Sequence, residues 1–277
     1  MIEEYIKLGE YNKLEVYKEV EFGVYLKSEE DEVLLPKKYV PQNTQIGDIL
    51  EVFVYSDSED RYVATTIKPK AILNQFDMFE VVDTSKFGAF VDWGLEKHLF
   101  VPLSTQKRNL KKGDKVIGKI KYDEKTDRLF LDAKIGRNLE TPKELNQNDE
   151  VEILVLAKTP LGYKVIVNNS FEGMIYDNEI FENIKIGDKR KAYVKNLRED
   201  NKLDISLNPI GKSRDVAYQK VLDKLQDKKE INLTYKSNAE DIKKEFGISK
   251  KAFKAVLTKL IDENKIILKD DRICINT

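Results

Sequence analysis

The 277-residue sequence predicts a mainly β chain of three tandem five-stranded barrels, closed by a C-terminal α+β module. Three observations predict it. A segment of about 65–75 residues occurs three times in succession. Within each copy, apolar and polar residues alternate with period 2 over about five short runs. After Gly211 the apolar period changes from 2 to about 3.6.

The copies align on three landmarks. "FGVYLKSEEDEVLLPKKYVPQNTQIGD" begins at Phe22, "FGAFVDWGLEKHLFVPLSTQKRNLKKGD" at Phe87 and "LGYKVIVNNSFEGMIYDNEIFENIKIGD" at Leu161. Gly23 precedes Gly47 by 24 positions, Gly88 precedes Gly113 by 25, and Gly162 precedes Gly187 by 25. An alternating strand follows each Gly-Asp and breaks at a charged turn ahead of Arg61, Arg128 or Lys202. Five short strands in this length suit a Greek-key OB barrel. Pro69, Pro142 and Pro209 mark the connections, because proline stops a strand and stiffens a link. The expected domains are therefore 1–69, 70–140, 141–211 and 212–277, with the barrels strung in a row rather than merged.

The tail reads as helix, strand, helix, turn, helix and hairpin, the layout of a winged helix-turn-helix. Ser213 is placed to cap the first helix, with Val216, Ala217, Val221, Leu222 and Leu225 on one side. "INL" is a short strand. The second helix begins with Ser237 or Asn238 as its cap, has Glu240 three after Ser237 as in a capping box, and stops at Gly247. Ser249 caps the third, whose buried stripe is Phe253, Val256, Leu257, Leu260 and Ile261. An Asp-Asp turn closes a final hairpin, "IILKDDRICI". Lys250, Lys251 and Lys254 decorate the first turns of the third helix, where such modules meet nucleic acid. Surface lysines are also ordinary on any soluble helix, so docking of protein is an equal reading of this module.

Charged residues make up 35% of the chain and the formal net charge is −1. The sign alternates along it. Residues 1–69 carry 8 basic against 15 acidic side chains, and residues 212–277 carry 16 against 11. No apolar run approaches the ~20 residues of a membrane span. The first ten residues lack the basic and apolar regions of a signal peptide, and Cys274 is the single cysteine, so the cytoplasm is the expected compartment. One histidine and one cysteine do not make a zinc site of ordinary ligand number, and neither metal nor cofactor is expected. "GKS" at 211–213 lacks the first glycine of a phosphate-binding loop, with Ser206 in its place. Asp123 and Asp127 flank a hairpin turn, where aspartate is favoured for local hydrogen bonds.

The order strand, glycine, strand, "L-x-P" or "G-M-I" strand, irregular loop, Gly-Asp, strand, turn, strand resembles the S1-type RNA-binding branch of the OB fold. The second copy is closest through "FGAFVD", "LKKGDKV" and "DRLFLDAK", and the third keeps "EGMI" and "KLDISL". Three S1-like barrels followed by a winged helix, with "DWGLEKHLFVP" in the second barrel, resemble the conserved virulence factor B (CvfB) family over essentially the whole chain. One departure stands out. The histidine-serine pair that follows the third strand in the S1 class is represented by Val101, Pro102 and Leu103 before Ser104, and His98 inherits no role.

The resemblance implies a bacterial RNA-binding regulator of gene expression without catalytic activity. Single-stranded RNA would be its partner, alongside RNA-processing or translation proteins. It also implies that the two aromatics flanking the second-strand glycine form a base-stacking platform. These are Phe22 and Tyr25 in the first barrel and Phe87 and Phe90 in the second. The third has Leu161 and Lys164, with Tyr163 as a substitute ring. Ordinary burial is the competing reading of the rings. A bend at Gly88 is expected to turn Phe87 and Phe90 to one face. Trp93 reads as structural. Cations for phosphates are Lys107, Arg108, Lys111 and Lys112 in the long loop, with Arg128 at the S1-class basic position. The rival functions are a DNA-binding transcription regulator led by the winged helix and an accessory subunit of an RNA-processing machine.

Overall fold

The computed structural model describes residues 4–180, 183–209 and 212–276. It divides into two compact units, Met1–Asn138 and Leu139–Thr277. The first unit holds two closed barrels. Strands β1 (Tyr11–Val20), β2 (Gly23–Lys27), β3 (Glu32–Pro36), β4 (Ile49–Ser56) and β5 (Tyr62–Thr65) close in the order β1-β2-β3-β5-β4. Strands β6 (Phe76–Ser85), β7 (Gly88–Asp92), β8 (Leu99–Pro102), β9 (Lys115–Asp123) and β10 (Arg128–Asp132) repeat that arrangement. In the second unit, β11 (Glu150–Thr159), β12 (Gly162–Val167), β13 (Phe171–Tyr176), β14 (Lys189–Leu197) and β15 (Leu203–Ser206) form the third barrel.

The repeat extends to atomic detail. In each barrel the first strand carries a bulge opposite the second, at Val16/Lys18, Val81/Asp83 and Val155/Ala157. A bulge bends its strand and sharpens its twist, which is how so short a sheet closes. The repeat glycines share a job of another kind. A Cβ on Gly23, Gly88 or Gly162 would lie 2.2, 2.3 or 2.0 Å from the carbonyl oxygen of Leu35, Val101 or Ile175 on the third strand. Only glycine lets the two strands approach that closely. The expected bend at Gly88 is thus corrected: the bulge lies in β6, and Gly88 supplies clearance.

The first two barrels are not a loose string. Phe53, Tyr55 and Val63 of the first share one buried apolar cluster with Phe79, Val91, Trp93 and Leu99 of the second. Trp93 packs edge-on to Phe53 and Tyr55, with ring centroids 5.7 and 6.2 Å away, and its Nε1–H donates to the Lys97 carbonyl at 2.6 Å. Polar contacts flank this seam. Lys97 Nζ donates to the Asp57 carbonyl at 2.6 Å, and Tyr62 Oη donates to Asp127 at 2.7 Å. A proline-marked connection with a charged rim gives no hint of a buried tryptophan joining two barrels.

At the C-terminal end, α1 (Lys212–Lys228), β16 (Glu230–Ile231), α2 (Ala239–Phe246), α3 (Lys250–Asp262), β17 (Ile266–Leu268) and β18 (Ile273–Ile275) form a winged helix. Its sheet order is β16-β18-β17. Phe253, Val256, Leu257 and Leu260 are buried as their helical spacing predicts, and Ile261 is half-buried. Of the two candidate caps of α2, the structure takes the asparagine. Asn238 is the N-cap, accepting from Asp241 N–H at 2.8 Å, while Ser237 Oγ accepts from Thr234 N–H. Asparagine is as good a cap as serine, and Asp241 returns the contact through Asn238 Nδ2. Ser249 caps α3 as expected, and Gly247 ends α2 with φ 68°. The side chain of Ser213 lies outside the described residues. No helix among the described residues is long and apolar enough to cross a membrane.

Candidate nucleic-acid interface

Cross-strand partners place their side chains on one face of a sheet. On the outside of the second barrel this generates a continuous row. Phe90 on β7 pairs with Phe100 on β8, Phe100 with Phe130 on β10, and Phe130 with Lys121 on β9. Leu99 and Val101 on either side of Phe100 point into the core, so period 2 alone sends that ring outward. Phe90 and Phe100 are tilted together at 5.2 Å. All three rings are half-buried: held by neighbours and open on one side.

Phe87 joins the row from another direction. It lies in the two-residue turn between Ser85 and Gly88, outside the strand, and the residue is 66% exposed. The Leu103 N–H donates to its carbonyl at 3.1 Å and fixes the turn, as Lys37 does for Phe22 and Asp177 for Leu161. Lys86 Nζ lies 4.9 Å from the centre of the Phe87 ring. The question of which way two strand aromatics point is therefore answered by one of them being in a turn.

These rings line a cleft of about 1090 Å3 on the first unit, with the β4–β5 turn of the first barrel as one wall. Its cations are Lys97, Lys121, Lys125, Arg128 and Arg137. Asp60, from that wall, pairs with Lys97 at 3.0 Å and with Arg128. Hydrogen bonds from Lys97 and then Arg128 hold the Asp60 carboxyl below the usual carboxylate range. The expected loop cations fall elsewhere. Lys107, Arg108, Lys111 and Lys112 are exposed, none lines the cleft, and Arg108 is engaged by Asp114 at 2.7 Å. Phe100, Phe130, Lys121 and Arg137 line it without having been singled out by motif. Alternation within "LFVP" and "RLFLD" is the signal that finds the two rings.

The equivalent faces of the other barrels have different fates. In the first, the row reads Tyr25, Leu34, Val63 and Tyr55. Val63 and Tyr55 are buried against the second barrel. Phe22 is 58% exposed, and Tyr25 is half-buried beside Tyr17, with ring centroids 6.4 Å apart. In the third, the row is Lys164, Met174, Asp204 and Asn196. Lys164 and Lys202 there pair with Glu172 at 3.5 and 3.1 Å. Tyr163, the suggested substitute, instead packs against that barrel's core with Lys158 Nζ 4.2 Å from its ring centre. On α3, Lys251 and Lys254 are exposed and Lys250 is half-buried.

Comparison with known proteins adds to this geometry. A family model described as the S1 domain matches residues 8–67, the first barrel, although the motifs look closest in the second. A model described as the CvfB-like winged helix domain matches residues 219–274. Uncharacterized protein YitL of Bacillus subtilis is 26% identical, over 93% of this chain and 90% of its own. Conserved virulence factor B of Staphylococcus saprophyticus is 26% identical, over 80% of this chain and 78% of its own. A crystal structure of a multidomain protein with nucleic acid binding domains from Streptococcus pneumoniae TIGR4 is 25% identical, with a TM-score of 0.44 over 97% of this chain and 98% of that one. The chain is thus similar to the S1 domain at its first barrel, to the CvfB-like winged helix domain near its C-terminal end, and over most of its length to proteins named conserved virulence factor B.

Proposed function

We propose that the protein is a non-enzymatic regulator that binds single-stranded RNA on the second barrel. The observation that carries this reading is the in-register row Phe90, Phe100 and Phe130, half-buried and open on one side to a cleft with lysine and arginine walls. Aromatic faces stack unpaired bases, and cations follow the phosphates. A duplex keeps its bases stacked on one another and has no face to offer such a row. Regulation of gene expression and action in the cytoplasm belong to the same proposal. They are supported by kinship with proteins named conserved virulence factor B and by a chain with a single cysteine. The modules we assign are 1–69, 70–140, 141–211 and 212–277, with the winged helix lysines Lys250, Lys251 and Lys254 extending contact to a longer strand.

The test borrows residues from the first barrel's row. Phe100→Leu with Phe130→Val removes two aromatic faces while keeping apolar side chains that an equivalent barrel already carries at these positions. At about 1–3 kcal/mol per stacked base, the double variant should bind a uridine oligonucleotide at least ~30-fold more weakly. Its melting midpoint should stay within a few degrees of the parent. Unchanged affinity would remove the row from the binding site. Tighter binding of duplex DNA than of single-stranded RNA by the parent would instead favour a regulator led by the winged helix.

A further inference from the structure

One buried carboxylate distinguishes the second barrel from its two sisters. The last residue of the final strand is Thr65, Asp132 or Ser206 in the three barrels, and each is buried. All three do one local job, accepting a hydrogen bond from the N–H two residues on. Thr65 Oγ1 accepts from Ile67 at 3.0 Å, Asp132 Oδ1 from Lys134 at 3.0 Å, and Ser206 Oγ from Asn208 at 3.2 Å. A neutral hydroxyl suffices for that turn in two barrels of three. The carboxylate of the second barrel brings an extra oxygen and a charge, at 1% exposure, where an unpaired charge is costly.

The extra oxygen has specific partners. Asp132 Oδ2 accepts from Arg137 Nε at 2.7 Å and from Asn138 Nδ2 at 2.8 Å. Asn138 Oδ1 in turn accepts from Lys121 Nζ at 3.4 Å. Two cations are thus set in place by one buried anion, and both line the cleft at the Phe130 end of the row. Lys121 is also the register partner of Phe130. Asp132 engages Arg137 through Nε, so the fork of Nη groups, which suits a phosphate oxygen pair, is not used by this contact. At the other wall, Lys97 and Arg128 already share Asp60.

We infer that Arg137 and Lys121 form a phosphodiester subsite for the nucleotide stacked on Phe130, and that Asp132 is the positioning residue that presents Arg137 to it. This rests on the proposed binding of single-stranded RNA along the row. It places the phosphate track on the β9 side of the cleft and not on the 107–112 loop. It also explains a charge in the core that the turn itself does not require.

The experiment uses the full chain and a fluorescent uridine oligonucleotide, with affinity measured across a salt series. Arg137→Gln should weaken binding ~5-fold or more and lower the slope of log affinity against log salt by about 0.7, the value of one phosphate contact to a single strand. Arg137→Lys should restore the slope while recovering only part of the affinity, since a point charge replaces a fork. Asp132→Ser keeps the turn-capping oxygen found in the third barrel and frees Arg137, so it should lower affinity in a chain that still folds, though with a lower melting temperature than the parent. If Asp132→Ser unfolds, the Arg137 pair decides alone. An unchanged slope and affinity in Arg137→Gln, with binding lost in the Phe100→Leu, Phe130→Val chain, overturns the subsite and leaves the aromatic row standing. A parent chain that does not bind the oligonucleotide overturns both.

Discussion

Adding one methyl group at position 88 would put a Cβ 2.3 Å from the Val101 carbonyl and 2.8 Å from the Phe100 ring. Gly88→Ala should therefore cost about 1–3 kcal/mol of stability, read as a lowered denaturation midpoint, and should disturb the aromatic row from beneath. Asp132 makes a second prediction at this scale. Burial pushes its carboxyl up, but hydrogen bonds from Arg137, Asn138 and the Lys134 N–H outweigh burial and hold it below the usual range. A carboxyl with a folded value below its unfolded value of about 3.9 contributes stability that is fully present above that pH. The contribution is lost as pH falls through the folded value. The stability advantage of the parent over Asp132→Asn should accordingly be constant from about pH 5 to 7 and shrink below about pH 4. A gap that widened in acid would contradict the pairing. The glycine's importance is legible in the sequence, because it recurs in three copies. Its reason is not, because the carbonyl it must clear is on another strand.

Among the elements, one barrel face has three fates: the first docks on its neighbour, the second keeps its rings, and the third carries polar side chains. The first barrel's row ends in Val63 and Tyr55, which close over Trp93. Burial pushes the Tyr55 hydroxyl well above its ordinary range, with smaller contributions from neighbouring acids and Tyr39. Trp93→Ala should cost about 3–5 kcal/mol and uncouple the first two barrels. Calorimetry should then resolve two transitions in the first unit, where the parent should give a single one. A single sharp transition in the variant would mean that the tryptophan stabilises only its own barrel. The strands and the Gly-Asp turns were readable from alternation and repeat, whereas the bulges were not. The docking of two barrels was not, since Phe53, Tyr55 and Trp93 look like ordinary core residues one barrel at a time.

For the whole molecule, the charge distribution becomes an argument about length of ligand. Residues 212–277 are the most basic stretch, yet the aromatic row belongs to the second barrel. If the winged helix extends the track, Lys250→Gln, Lys251→Gln and Lys254→Gln together should weaken binding of a long single-stranded RNA and reduce its salt dependence. A uridine oligonucleotide just long enough to cover the row should bind as before. Equal loss for both lengths would place these lysines in the same site as the rings, and no loss for either would favour a protein partner for the winged helix.

Local pattern by itself determined the number of barrels, the succession of strands along each and the helices of the winged module. Those features depend on residues near one another in the chain, where periods of 2 and 3.6 and the spacing of glycines are explicit. Packing alone decided that the first barrel's face closes over Trp93, that Phe100 and Phe130 complete the row of the second, and that Arg137 and Lys121 line its cleft in place of Lys107 to Lys112. Each of those depends on contacts between strands or barrels distant in sequence. Asp132 shows the division most plainly: the chain reads it as one more polar strand end, and only its buried second oxygen, shared between Arg137 and Asn138, distinguishes it from Thr65 and Ser206.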